Sequence, residues 1–209
     1  MTASPRSAGQ RGAALVITLM VTAIVTALGG ALLLVTMVES AVEANHQQTH
    51  AVRQAAEAGL ACGIAGLAVT EDWSNALQGL PVPGPPCLEP AAFPPSFPGG
   101  GDIEPAALTA ALQAMTSARY GTVPDTPRWE LWIAGAAPGA AASGPVVLVW
   151  IADDEGEDDG DPAVDANGVL WVRAEAFGRG SARTAVEALV RRNPPEEGAT
   201  AVIGWRLTR

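Results

Sequence analysis

Between Gly12 and Glu39 the chain runs for 26 positions, 13–38, without a charged residue, and apart from four threonines these positions are apolar or glycine. As a helix at about 1.5 Å per residue the run measures roughly 39 Å, more than the hydrocarbon thickness of about 30 Å. Such a segment belongs in a bilayer or an equally apolar setting. Arg6 and Arg11 precede it with no acid among them, while Glu39 and Glu43 follow it. The positive-inside bias therefore predicts a cytoplasmic N-terminus and an external remainder, in a single-pass topology.

Three readings of the segment compete. A cleavable secretory signal has an apolar stretch of about 7–15 residues followed by a small-residue cleavage site, and this run is nearly twice that length. A plain signal anchor fits length and charge. In the third, a peptidase on the cytoplasmic side cuts before the apolar helix and leaves the helix on the mature protein. The junction favours this last reading: Gln10-Arg11-Gly12 is followed by Ala13-Ala14-Leu15-Val16-Ile17.

Here the chain resembles the type IV pilin and pseudopilin family, in which a short basic leader ends in Gly, cleavage follows that Gly, and Leu is common at the third mature position, which Leu15 occupies. The resemblance implies processing between Gly12 and Ala13 by a prepilin peptidase, and methylation of the new N-terminus. Most members carry Glu at the fifth mature position, where this chain has Ile17. Minor pilins of the PilX type and the tip pseudopilin of type II secretion often lack that Glu. Arg53-Gln54-Ala55-Ala56-Glu57-Ala58-Gly59-Leu60 is also similar to the Ala-Ala-Glu-Ala stretch of PilX-like N-terminal regions. The two motifs cover about residues 10 to 62, and the remainder matches only in general character.

From 39 to 69 there is no proline, and Val42, His46, Thr49, Val52, Ala56, Leu60, Ile64 and Leu67 recur at spacings of three and four. That pattern predicts a continuing helix with one narrow stripe against a partner. His46 and His50 stand four apart on one face, a spacing that suits a metal, but no third ligand lies nearby and solvated helix histidines are the ordinary case. The expected divisions are a leader at 1–12, a membrane and polymerisation helix at 13–38, its periplasmic half at 39–72, a Pro/Gly-rich loop at 73–103, and a head at 104–209. Within the head a helix is expected over 104–118, with Leu108, Leu112 and Met115 on its buried side.

Five β-prone runs follow, at 129–134, 146–151, 169–177, 184–190 and 202–207. Their short connections favour antiparallel pairing, since parallel neighbours need crossovers of a dozen or more residues. The expected fold class is α+β, a long N-terminal helix packed on an antiparallel sheet, which is also what the resemblance implies. Trp129, Trp132, Trp150, Trp171 and Trp205 lie on these alternating runs and are expected in the core.

Cys62 and Cys87 both fall outside the membrane on this topology. An even count in an oxidising compartment predicts a disulfide between helix and Pro-rich loop, the alternative being two buried thiols.

Acidic residues are concentrated: seven of the nine positions 153–161 are Asp or Glu, and Asp165 follows. Without these eight the formal charge of −10 would be about −2. Crowded carboxylates repel, and a hard cation taking six to eight oxygens relieves them. No frame satisfies the EF-hand spacing, so the ordinary expectation is a solvated acidic turn between strands that guards a sheet edge; the competing reading is calcium in a different loop built from Asp159, Asp161, Asp165 and Asn167.

No nucleophile elbow, zinc-protease helix or phosphate loop is present, and both histidines lie outside the head, so enzymatic function is not expected. The acidic balance disfavours nucleic acid, although Arg183, Arg191 and Arg192 make a small basic patch. The function expected is structural: a PilX-like minor pilin entering or initiating a type IV pilus, with the other pilin or pseudopilin subunits, the prepilin peptidase and the inner membrane as partners. The alternatives are a minor pseudopilin of type II secretion, or a membrane-tethered calcium-binding or adhesive module outside any fibre.

Overall fold

The fold was described from a computed structural model covering residues 8–80, 87–89, 102–121, 126–137, 144–157, 159–194 and 199–208. The first residues of the expected leader, most of the Pro/Gly-rich loop and Asp158 lie outside the described residues. The chain divides into two compact units, one through Gln47 and one from Gln48.

The first unit is helical. It belongs to α1 (Ala8–Val69), whose stretch from Gly12 is long and apolar enough to cross a membrane or to act as a signal. Its large apolar side chains, from Leu15 to Val38, are exposed. Thr18, Thr22, Thr26 and Thr36 each return their hydroxyl to the carbonyl four residues back, which hides the only polar side-chain groups of the run.

The second unit is α+β. The last turns of α1 pack against a five-stranded antiparallel sheet in the order β1 (Glu130–Ala136), β2 (Val146–Asp153), β3 (Val169–Phe177), β4 (Arg183–Arg192), β5 (Thr200–Thr208). A meander of this kind follows from short turns between β-branched runs. All five predicted strands are present, with ends moved by up to two residues. Val52, Ala55, Ala56, Leu60 and Leu67 of α1 meet Val147, Val149, Val172, Ala174, Val186 and Ala188 in one core. The predicted stripe thus packs from Val52 onwards, with Ile64 partly buried, whereas Val42, in the first unit, is exposed.

Close approach of helix and sheet depends on glycine. A Cβ at Gly59 would collide with Val147 Cγ1, and one at Gly66 would lie 2.7 Å from the Trp132 ring. These glycines lower helix propensity by about 1 kcal/mol each and in exchange let the sheet side chains reach the helix backbone.

The opposite sheet face is covered at β1 and β2 by α3 (Pro105–Tyr120). Pro105 sits in the first turn, where its missing N–H loses no hydrogen bond. Leu112 is buried and Leu108 packs beside it, but Met115 is 56% exposed, a correction to the expected buried side. The face of α3 that turns inward is fixed instead by polar anchors: Thr116 Oγ1 accepts from the Trp129 indole at 2.7 Å and Thr109 Oγ1 from the Trp150 indole at 2.7 Å. Trp129 and Trp150 are core residues as expected, while Trp205 on the edge strand β5 is exposed, with no helix of the described residues packed over it.

A short helix, α2 (Trp73–Leu77), falls where the sequence suggested loop. Asp72 caps it by accepting from Ser74 N–H, and Trp73 is buried, its indole donating to Leu67 O at 2.9 Å while the Arg192 guanidinium covers the ring. Cys62 and Cys87 form a disulfide with Cα atoms 5.7 Å apart. The bridge holds Glu89 beside β1, where it exchanges two backbone hydrogen bonds with Ala136.

Candidate functional site

The acidic run forms the turn from β2 to β3. Asp153 ends β2 opposite Leu170, so its backbone belongs to the ladder and its side chain is pulled in with it, 3% exposed. Beyond it, the turn is built by carboxylates accepting from nearby backbone N–H groups. Asp159 accepts from Asp161, Asp161 from Ala163, and Asp165 from both Gly168 and Val169. Glu157 reaches across and accepts from Ala166 and Asn167. Ser74 of α2 and Gln78, which caps its C-terminus, hold the turn: Ser74 Oγ accepts from Asp165 N–H, and Gln78 Nε2 donates to Ala163 O.

This folding brings Asp153, Glu157 and Asp165 together, with one carboxylate oxygen from each within 4.8 Å of the others. The triad could hold a metal ion. Of the four ligands of the calcium reading, only Asp165 belongs to it. Asp159 and Asp161 are used by local turn hydrogen bonds, and the Asn167 amide donates to Asp154 at 2.8 Å. Asp153 and Glu157 were missed because spacing rules compare neighbours, whereas this group converges from the two ends of a folded turn. The one available sign was Asp153 itself, an acid continuing the apolar run of β2.

The electrostatics match a site short of positive charge. Burial, followed by the nearby Glu157 carboxylate, pushes Asp153 up to about 8. Burial likewise raises Glu157 and Asp165, although each accepts two backbone N–H groups that oppose the shift. Since Asp153 binds its proton more tightly when folded, its contribution to stability is complete below about pH 4 and is lost as pH rises towards about 8. Glu157 and Asp165 act in the same direction. A divalent cation favours the ionised forms and reverses this trend. Thermal melts at about pH 5 and about pH 8 test the point: without divalent ions the melting temperature falls towards pH 8, and millimolar calcium restores it there while changing little at pH 5. Asp153→Asn flattens the pH dependence and abolishes the calcium effect. An absence of any calcium response at pH 8 removes the metal reading and leaves an acidic turn.

The remaining site residues of the sequence reading are placed without convergence on this group. Gly12 and Ala13 lie in the first unit on α1. His46 is also in the first unit and His50 in the second, and neither joins a group of three potential ligands among the described residues.

Compared with family profiles, curated proteins and solved structures, the chain matches none. The architecture is nonetheless pilin-like: an apolar N-terminal helix whose last turns lie on a five-stranded antiparallel sheet.

Proposed function

We propose that this chain is a non-catalytic, PilX-like minor pilin that enters or initiates a type IV pilus through its N-terminal helix. The observation that carries the reading is the sequence of parts: a glycine junction, an uncharged helix with every apolar side chain exposed, and then an amphipathic continuation that serves as the core of an α+β head. Prepilin peptidase removes residues up to Gly12, and Ala13 becomes the N-terminus, methylated as the resemblance implies. Before assembly the helix is held in the inner membrane with the head in the periplasm. In the fibre it packs among helices of other subunits, so its surroundings are apolar in both states and extraction exposes little apolar surface to water. Ala23, Ala27, Gly29, Gly30 and Ala31 permit close helix approach. Ile17, where most members have Glu, supports a minor rather than a major subunit. The same argument accommodates a minor pseudopilin of type II secretion.

A second reading, a membrane-tethered calcium-binding module outside any fibre, is favoured by the acidic triad alone. Fibre shearing separates the two. The chain is expected in the sheared surface fraction together with other pilins, and Gly12→Asp, which blocks cleavage at the junction, is expected to remove it from that fraction by at least about tenfold while the uncleaved form accumulates in the membrane. Uncleaved wild-type protein confined to the membrane would favour the tethered module.

A further inference from the structure

On the sheet face turned away from α1, a half-open cleft of about 350 Å³ lies between the second half of α3 and strands β3 to β5. That volume stands at the small end of the range of about 300–1,000 Å³ usual for ligand pockets. Among the described residues its lining holds three arginines, Arg119, Arg173 and Arg206, against one acid, Glu187. The surplus is positive in a chain whose formal charge is −10. Glu187 does not offset it further, because its two carboxylate oxygens already accept from Arg173 and Arg206.

Two donors of the lining lack an acceptor. Arg119, in the last turn of α3, lies over the Tyr120 ring at 5.2 Å and has no carboxylate partner among the described residues. Arg173 is buried, and its Nε has no hydrogen-bond partner among the described residues. Buried donors are nearly always satisfied, so one left over calls for an acceptor from elsewhere. The apolar part of the cleft is held in place beforehand. Trp171 donates its indole N–H to Glu155 of the acidic turn at 2.9 Å, and the Arg206 guanidinium lies over its ring. Trp129 is fixed by its bond to Thr116, and Met115, whose exposure no core contact explains, lines the same cleft.

We propose that this cleft binds a small organic anion, an oxyanion carried on a flat apolar body. The Arg119 guanidinium takes the oxyanion, because its planar fork matches a carboxylate or a phosphate and no acid of the protein competes for it. The apolar body packs against Trp129, Trp171 and Met115, as flat groups do on aromatic and thioether side chains. A neutral ligand of the same shape leaves Arg119 without an acceptor and is discriminated against. The binding does not depend on whether the chain joins a fibre.

Nuclear magnetic resonance of the full chain in non-ionic detergent micelles, with isotopically labelled tryptophan, tests this through the indole N–H signals. Phenylacetate and phenyl phosphate are the probes, and neutral phenylacetamide is the control. Either anion is expected to shift the Trp129 and Trp171 signals saturably while Trp73, which is not in the cleft, stays unmoved. The tighter of the two identifies the oxyanion as carboxylate or phosphate. Phenylacetamide is expected to bind at least about tenfold more weakly, the loss of one charge-assisted hydrogen bond. Arg119→Glu is expected to weaken the anions by the same factor or more at an unchanged melting temperature, because Arg119 is exposed. Arg119→Gln takes its place should that variant melt lower. The proposal is overturned if neither anion moves Trp129 and Trp171, if phenylacetamide binds as well as the anions, or if binding survives the loss of Arg119.

Discussion

Glu187→Ala is expected to destabilise the second unit by about 3–5 kcal/mol, the range for removing one member of a buried ion pair. Glu187 is 2% exposed on β4 and accepts from Arg173 of β3 with one carboxylate oxygen and from Arg206 of β5 with the other. Arg173 also meets Glu175 at 3.3 Å and Thr208 Oγ1 at 3.2 Å, while Arg183 pairs with Glu175. The network ties three adjacent strands together on the face turned away from α1. Deleting Glu187 leaves the Arg173 guanidinium buried with one carboxylate fewer and frees Arg206 from its anchor. At about 2–4 °C per kcal/mol for a chain of this size, the melting temperature falls by roughly 6–20 °C. The charge is responsible rather than the volume, so the double replacement Arg173→Met, Glu187→Leu is expected to recover most of the loss. If Glu187→Ala melts within a degree or two of wild type, the network is as wet as a surface pair and contributes as little.

Cys62→Ser is expected to cost about 3 kcal/mol, the loop-closure value for a separation of 25 residues. A melting temperature lower by roughly 6–12 °C follows, and a reducing agent should produce the same shift in wild type and none in the variant. The loss has a place as well as a size. Cys62 is fixed in the helix against the sheet, so the bridge is what keeps Glu89 on the edge of β1. Hydrogen exchange should therefore accelerate most at the Ala136 amide, which donates to Glu89 O at 2.9 Å. Uniform acceleration over the whole sheet would mean that the bridge stabilises only through the unfolded chain.

The parts of this fold that were legible in the sequence are those governed by one-dimensional pattern. The uncharged run, the stripe from Val52 to Leu67 and the alternation of Leu170, Val172, Ala174 and Ala176 all point to their observed positions. The same alternation misleads on the other face. Arg173, Glu175 and Glu187 are charged, yet they are buried and neutralise one another, beside a half-open cleft of about 350 Å³ that Trp129 and α3 residues line together with Trp171, Arg173 and Glu187. Trp205 fails for the reverse reason: it continues the core face, yet it lies on the edge strand with no helix of the described residues packed over it, which no local pattern encodes. α2 was obscured by lying between a glycine-rich helix end and a proline-rich stretch, although Asp72 before Trp73-Ser74 was a readable cap. The acidic turn was legible as charge but not as geometry, since Asp153 and Glu157 join Asp165 only once β2 and β3 are paired.

The central claim, that the apolar segment is a processed assembly element and not a plain anchor, turns on a single covalent bond. The mass of the intact mature protein, with fragmentation of its N-terminal peptide, reads that bond directly. A chain beginning at Ala13, heavier by one methyl group on its amine, is the predicted result. A chain retaining residues 1–12, or one that has lost the whole of 13–38, would contradict it.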